Sequence, residues 1–324
     1  MKTFKRFLIW IAILPMAVVI SCKDNDPVAS NQNYADLTEY MVASNLDLDD
    51  VLTSWIVAPP ADVADVGTFL ADYYVIDIRK ASDFDLGHIE GAINSTLATI
   101  IADATNANKP ILVACYTGQT ASHAVVALRL SGYPTAKVLK WGMSGWRSDL
   151  AGSWLANSGN DNGVIGIGNV NWVTTGSASP QSFNDPEWTT TATTPAEILA
   201  ERVTLMTTKG FQGVPAQTVL DAPTDYYVNN FWEQADVDHY GCINSAFRIK
   251  PLTIEGGQFS NYDPSKTVVT YCWTGQTSSM VTAYLTVLGF DAKSLKFGTN
   301  SMIYSTLESH KFVQPTVDLP VVTD

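Results

Sequence analysis

The chain has 324 residues, room for about two domains at roughly 150 residues each. Apolar residues make up 46% and charged residues 16%, which excludes a disordered chain; 19 Lys and Arg against 32 Asp and Glu give a net charge of −13, a poor match for nucleic acid phosphates. Four cysteines with no C-x-x-C pair exclude a disulfide scaffold and a zinc ribbon.

Residues 1–22 read as an address. Lys2, Lys5 and Arg6 precede an apolar run from Phe7 to Ile20, whose 14 residues suit a signal-peptide core better than a bilayer crossing. The run ends Val19-Ile20-Ser21-Cys22, which resembles the lipobox of bacterial lipoproteins. That resemblance implies cleavage of residues 1–21, acylation of Cys22 and a lipid anchor in the cell envelope, at the outer membrane. The simpler reading is a secretory signal in which Cys22 is incidental. Losing residues 1–21, which carry three bases and no acid, would leave a mature charge of −16. Lys23-Asp24-Asn25-Asp26-Pro27 and the polar residues to Asn33 form a solvated tether. Acids just after the lipid cysteine also resemble the surface-export signals of some Gram-negative lipoproteins. Residues 22–57 are assigned to the tether and an N-terminal helical segment.

From residue 58 the apolar pattern alternates between strand and helix. Tyr74-Val75-Ile76-Asp77 reads as a buried strand, and Pro110 to Ala114 as another that hands over to Cys115. Thr120 to Ser131 has apolar residues at helical spacing and is stopped by Gly132; Ala136 to Leu139 begins the next strand. Residues 153–195 are rich in Gly, Asn, Ser and Thr and read as a linker. Its Gly166-Ile167-Gly168 lacks the third glycine of a dinucleotide loop. Thr267 to Tyr271 is then a strand leading into Cys272, followed by a helix to Leu288 that Gly289 closes. Alternation of this kind predicts an α/β fold with mainly parallel sheets flanked by helices.

The chain also repeats itself. Tyr73-Tyr74-Val75, Ala92-Ile93-Asn94 and Cys115-Tyr116-Thr117-Gly118-Gln119-Thr120 return as Tyr226-Tyr227-Val228, Cys242-Ile243-Asn244 and Cys272-Trp273-Thr274-Gly275-Gln276-Thr277. The offsets, 153 at the tyrosines and 157 at the cysteines, are nearly equal, as expected for two copies, 58–152 and 196–312, with a tail at 313–324.

A cysteine where a parallel strand hands over to a helix sits at the edge where α/β sheets gather functional loops. Gly118 and Gly275 let each loop curl its amides inward, and the helix behind adds unpaired N–H groups and a positive dipole end. Such a nest predicts a thiol with a depressed pKa and room for a second sulfur. The plain alternative is a buried, inert cysteine. Two cysteines, each followed by x-Thr-Gly-Gln-Thr, favour the functional reading.

With these residues in place, the first copy resembles a rhodanese domain. The resemblance rests on Asp77-Ile78-Arg79, on Asp83-Phe84, on Gly87-His88-Ile89-Glu90-Gly91-Ala92-Ile93-Asn94, on the Cys115 loop and on Gly142-x-x-Gly145-Trp146. It implies two rhodanese-like domains in which a cysteine carries sulfane sulfur as a persulfide. The donor would be thiosulfate or another sulfane compound and the acceptor a thiophile such as a thiol. The partners implied are small sulfur compounds, with no cofactor, no metal and no nucleic acid. Cys115 and Cys272 are the candidate carriers. Tyr116, Thr117, Gly118, Gln119, Thr120, Trp273, Thr274, Gly275, Gln276, Thr277 and Arg79 are the candidate substrate-binding residues.

The second copy is degraded. Asp-x-Arg has become Asn230-Phe231-Trp232, and the Gly-Trp element has become Gly298-Thr299-Asn300-Ser301-Met302, so Cys115 is the better carrier. Arg79 also has a structural reading, as a tie between loops. His88 reads as a hydrogen-bonded loop residue, with no metal-ligand spacing to His123 or His310. Cys242 reads as a small buried residue, otherwise as a redox partner of Cys272, and Trp146 as core. Neither loop contains Lys or Arg, which points to a persulfide, polysulfide or thiol-bound donor unless Arg79, Lys140 or Arg147 supplies charge. A phosphatase or arsenate reductase would need Arg six residues after the cysteine; Ala121 and Ser278 stand there. A non-catalytic envelope module that senses redox state or binds partners is the alternative of a different class.

Overall fold

The computed structural model describes residues 28–159 and 164–323. The signal segment and Cys22 lie outside the described residues.

Two parallel sheets form the frame. The first runs β1-β5-β4-β2-β3, built from β1 (Ile56–Val57), β2 (Tyr74–Asp77), β3 (Ile93–Asn94), β4 (Ile111–Ala114) and β5 (Lys137–Leu139). A short antiparallel pair joins β6 (Trp172–Val173) to β9 (Cys242–Ile243). The second sheet runs β7-β11-β10-β8, from β7 (Gly213–Val214), β8 (Tyr227–Asn230), β10 (Val268–Tyr271) and β11 (Ala292–Leu295). The central strands read as apolar runs because helices cover both faces, so β4 and β10 are buried at every position.

The register sets the site. In the first sheet Asp77 pairs with Ala114, and in the second Asn230 pairs with Tyr271. Each central strand therefore ends beside its neighbour's polar residue, one position before Cys115 or Cys272.

Four helices dominate: α1 (Val28–Ala43), α2 (Gln119–Leu130), α3 (Pro195–Lys209) and α4 (Gln276–Leu288). Both helices after the cysteines begin at a left-handed glycine, Gly118 at φ 81° and Gly275 at φ 78°. They stop at Gly132 and Gly289, at φ 96° and 107°. Helices α2 and α4 pack along each other between the sheets. That position explains why nearly every residue of both is buried and why neither has a polar face. One apolar core runs through this contact from Ile76 and Val113 to Tyr227 and Val268.

The chain ends cross over. Helix α1 lies on α3, in the second half. Asp47 accepts the Ile254 and Glu255 amides at 2.8 and 3.1 Å, and the Tyr284 hydroxyl donates to the Leu46 carbonyl at 2.9 Å. The C-terminal tail returns to the first half. There Trp146 Nε1 donates to the Pro320 carbonyl at 2.8 Å and His88 exchanges backbone bonds with Val322. The interval 153–195, linker-like in composition, starts on the first half, where Trp154 Nε1 donates to the Thr117 carbonyl at 3.2 Å, and from Trp172 on packs against the second half. Trp172 is buried and donates to the Tyr240 carbonyl at 2.8 Å, while Phe183 and Trp188 pack on the main core.

Candidate functional site

The backbone of the first loop is held from behind by a turn. Gly142, at φ 61°, lies so close that a Cβ there would stand 2.3 Å from the Cys115 carbonyl and 2.7 Å from the Gly118 nitrogen. The Met143 amide donates to the Cys115 carbonyl at 2.8 Å, and the Ser144 amide and hydroxyl both donate to the Tyr116 carbonyl. The Gly142-x-x-Gly145-Trp146 element is thus a backing for the cysteine loop, and Trp146 anchors it in the core.

Within that frame the loop amides converge on sulfur. Cys115 Sγ accepts from the Gly118 amide at 3.2 Å and from the Ala121 amide, in the first turn of α2, at 3.3 Å. Cys115 is nonetheless only 2% exposed. Burial pushes the Cys115 thiol above its ordinary pKa, the amides of Ala121, Thr117 and Gly118 pull it part of the way back, and the Asp77 carboxylate adds to the rise. The expected depression is therefore corrected: in the closed loop, desolvation outweighs the amides.

Arg79 acts as a clasp. It is buried, bound to Asp77 through Nε at 2.9 Å and Nη2 at 2.7 Å, with Nη2 also donating to the Gly87 carbonyl at 2.7 Å. Asn94 Nδ2 donates to the carbonyls of Asp77 and Arg79, both at 3.0 Å. Two of the stretches that carry the family resemblance, Asp77 to Arg79 and Gly87 to Asn94, meet in this one knot. His88 is buried, stacked on Phe84, with Nδ1 3.0 Å from the Phe84 carbonyl.

A cavity of about 270 Å³ lies in front of the first loop. Cys115, Tyr116, Thr117, Gln119 and Thr120 all line it, whereas Gly118 and Arg79 do not. The opposite wall comes from the second half, as Phe211, Lys296 and Phe297. Reading the first loop by itself missed these three; the loop itself has no Lys or Arg, and Lys296 brings a cation to the cavity from outside it. The signal was in the repeat: Lys296-Phe297-Gly298 matches Lys140-Trp141-Gly142, though only the fold shows which thiol it faces. A larger cavity of about 510 Å³ borders the first, with Tyr116 and Ser153 lining both. Arg79 lines that outer space, where the Tyr116 hydroxyl is bonded to Asp83.

The second loop repeats the backbone and changes the surroundings. Gly298, at φ 53°, backs Cys272 as Gly142 backs Cys115: a Cβ there would stand 2.3 Å from the Cys272 carbonyl, and the Thr299 amide donates to that carbonyl at 3.0 Å. Cys272 Sγ accepts from the Ser278 amide at 3.3 Å and lies 3.5 Å from the Ser278 hydroxyl. Its neighbour Trp273 is stacked between Trp232 and His310, with centroids at 4.1 and 5.0 Å. The Arg79 clasp has no counterpart, because Asn230 is buried with neither amide atom bonded and Trp232 is buried beside it.

The two loops interlock. Gln119 reaches across to accept from the Phe297 amide at 2.8 Å, and the Ser279 hydroxyl donates to the Gln119 carbonyl at 2.6 Å. Gln276 lies against Gly118, where a Cβ would stand 2.0 Å from its Nε2. Gly275 is buried under Gln119, Thr274 Oγ1 accepts from the Gln276 amide at 3.3 Å, and Thr277 is half-buried. None of Trp273, Thr274, Gly275, Gln276 and Thr277 lines the Cys115 cavity. Cys242 is free and buried, its thiol pushed up to about 11 by burial.

Residues 63–149 match the rhodanese-like domain family. Over 75 residues the chain is 35% identical to the thiosulfate sulfurtransferase GlpE of Shewanella oneidensis, covering 22% of this chain and 73% of that one. Over 83 residues it is 32% identical to the uncharacterized protein YibN of Escherichia coli, covering 24% of this chain and 58% of that protein, little more than half its length. Among solved structures, a thiosulfate sulfurtransferase from Pseudomonas aeruginosa aligns over 90% of this chain and 49% of its own. Its identity is 13% and its TM-score 0.28. A rhodanese-related protein from Thermoplasma volcanium aligns over 28% of this chain and 89% of its own, at 21% identity and a TM-score of 0.25.

Proposed function

The chain belongs to the rhodanese-like family, and from that premise we propose that it is a sulfurtransferase that carries one sulfane sulfur on Cys115. The observation that carries this reading is a sulfur held by the Gly118 and Ala121 amides on the wall of a cavity. In the reaction the Cys115 thiolate attacks the outer sulfur of a donor such as thiosulfate. The donor's S–S bond breaks, its electron pair leaves with the departing group, and a persulfide forms on Cys115. A thiophilic acceptor then takes the outer sulfur and returns the thiolate. Amides fixed in the loop, together with the N-terminal end of α2, stabilise the negative sulfur at both stages.

The second half is a second rhodanese-like unit in this reading. In it Cys272 is structural, and Cys115 does the transfer. Small sulfur compounds are the partners and nucleic acid is not one. Residues 1–22 would place the enzyme at the bacterial cell envelope, probed by labelling with a radioactive fatty acid and its loss in Cys22→Ser.

Thiocyanate formation from cyanide and a sulfane donor tests the activity. The parent and the Cys272→Ser variant form thiocyanate and Cys115→Ser does not. Absence of turnover with every sulfane donor in the parent protein would favour the binding or sensing module instead.

A further inference from the structure

The loop from Cys115 to Thr120 has no basic residue, and Arg79 is committed to Asp77 and the Gly87 carbonyl. Among the described residues, the only cation on the wall of the Cys115 cavity is Lys296, from the other half. We infer that Lys296 is the anion-holding residue of the Cys115 site, so that the second half completes the first half's pocket and selects donors bearing an oxyanion beside the sulfane sulfur. This deepens the reading of Cys115 as a sulfur carrier and rests on it.

Lys296 is placed rather than loose. Its amide donates to the Val214 carbonyl at 2.9 Å, extending the ladder of β11 and β7. Its stem runs over Gly213, where a Cβ would stand 2.8 Å from Lys296 Cγ, so a larger residue there would displace it. Among the described residues the ion pairs leave its ammonium without a carboxylate. Phe211 and Phe297 flank it on the same wall, and an apolar wall lowers the local dielectric and strengthens attraction for an anion. The chain is strongly acidic, so a dianion approaching Cys115 needs such a local charge.

The matching residue of the first half shows the exchange used in one direction only. Lys140 stands 5.1 Å from the centroid of its neighbour Trp141, and it faces His310, which is itself stacked on Trp273. Beside the second loop, Trp273 is stacked on both Trp232 and His310. With thiosulfate, the Cys115 thiolate bonds to the outer sulfur and sulfite departs as a dianion with the bonding pair. The persulfide keeps the single charge the thiolate had. Lys296 would hold the sulfonate end of the donor and then the sulfite.

The full chain is tested as Lys296→Glu and Lys296→Arg, with thiosulfate as donor and inorganic sulfate as an unreactive dianion. Loss of one charged contact predicts a KM for thiosulfate about tenfold higher in Lys296→Glu, with kcat within about twofold and Lys296→Arg within about threefold of the parent. Independently of turnover, sulfate should slow alkylation of Cys115 by iodoacetamide, relative to chloride at equal ionic strength, in the parent and in Lys296→Arg but not in Lys296→Glu. If Lys296→Glu unfolds, Lys296→Met replaces it, with the same outcomes expected. Unchanged KM and unchanged sulfate protection in the charge-removed variant would overturn the inference, as would a fall in kcat alone. If the parent transfers no sulfur, the carrier reading fails. Sulfate protection that depends on Lys296 would still support the anion site, and no protection in the parent would overturn it.

Discussion

The two cysteine loops share a backbone and differ in what stands around it. Each has a left-handed glycine three residues after the cysteine, at φ 81° and 78°, and each is backed by a second one, at φ 61° and 53°. Around Cys115 the neighbouring strand ends in a buried Asp77–Arg79 pair, Tyr116 is 37% exposed, and a cavity opens. Around Cys272 the same positions hold Asn230, Trp232 and a stacked Trp273, and Ser278 supplies the amide. A loop able to cradle sulfur is therefore preserved twice, with each cysteine 2% exposed, while the side chains that surround it differ. Backbone geometry decides what a site can hold, and the side chains outside the loop decide whether anything reaches it.

The widest predicted gap between the two loops is chemical. Cys115→Ser should lower thiocyanate formation by more than about a thousandfold, since removing a nucleophile leaves only residual catalysis. Next comes the clasp that only the first loop has. Arg79→Met strands the Asp77 carboxylate in the core and should cost about 3–5 kcal/mol in urea unfolding, with sulfur transfer lost as the loop loosens. An effect near zero would mean that the clasp is replaceable, as it has been in the second half.

A third difference lies in the paired helices. His123 in α2 is buried and its pKa is lowered to about 4 from 6.5, chiefly by burial, the Met206 backbone offsetting a little. The folded protein resists protonation there, so the unfolded chain binds more protons between those values. Stability is complete above about pH 6.5 and is lost as pH falls toward 4, by about 3 kcal/mol for this group. His123→Phe should flatten the urea midpoint over that range; an unchanged slope would assign the acid sensitivity elsewhere. Alkylation of Cys115 should keep rising as pH passes the ordinary thiol value of roughly 8.5, because burial holds the thiol protonated. A plateau near neutrality would show that the amides outweigh burial. The smallest effect belongs to Cys272→Ser, expected to stay within about twofold of the parent in turnover.

Much of the frame was legible in the residues. Tyr74 to Asp77 and Ile111 to Ala114 are strands because a strand covered on both faces must be apolar throughout. The helices end at Gly132 and Gly289 because a left-handed residue terminates them. Gly142 was visible as part of a motif, but its backing role, like that of Gly298, shows only in the fold. The crossing of the chain ends was invisible, because α1 finds α3 across more than a hundred residues with no local mark of it. The polar interval 153–195 concealed its seats for Trp172, Phe183 and Trp188. Lys296 was missed because a pocket wall lent by another part of the chain leaves no local pattern. The thiol's pKa direction was misjudged because the nest is written in the loop, while the depth of burial is written in everything packed over it.

The account turns on which sulfur carries the load. Peptide mass spectrometry of the full chain after thiosulfate treatment, without reductant, reads this directly. The account predicts one added sulfur on the Cys115 peptide and none on the peptides containing Cys242 or Cys272. Added sulfur on Cys272 with Cys115 unmodified would contradict it.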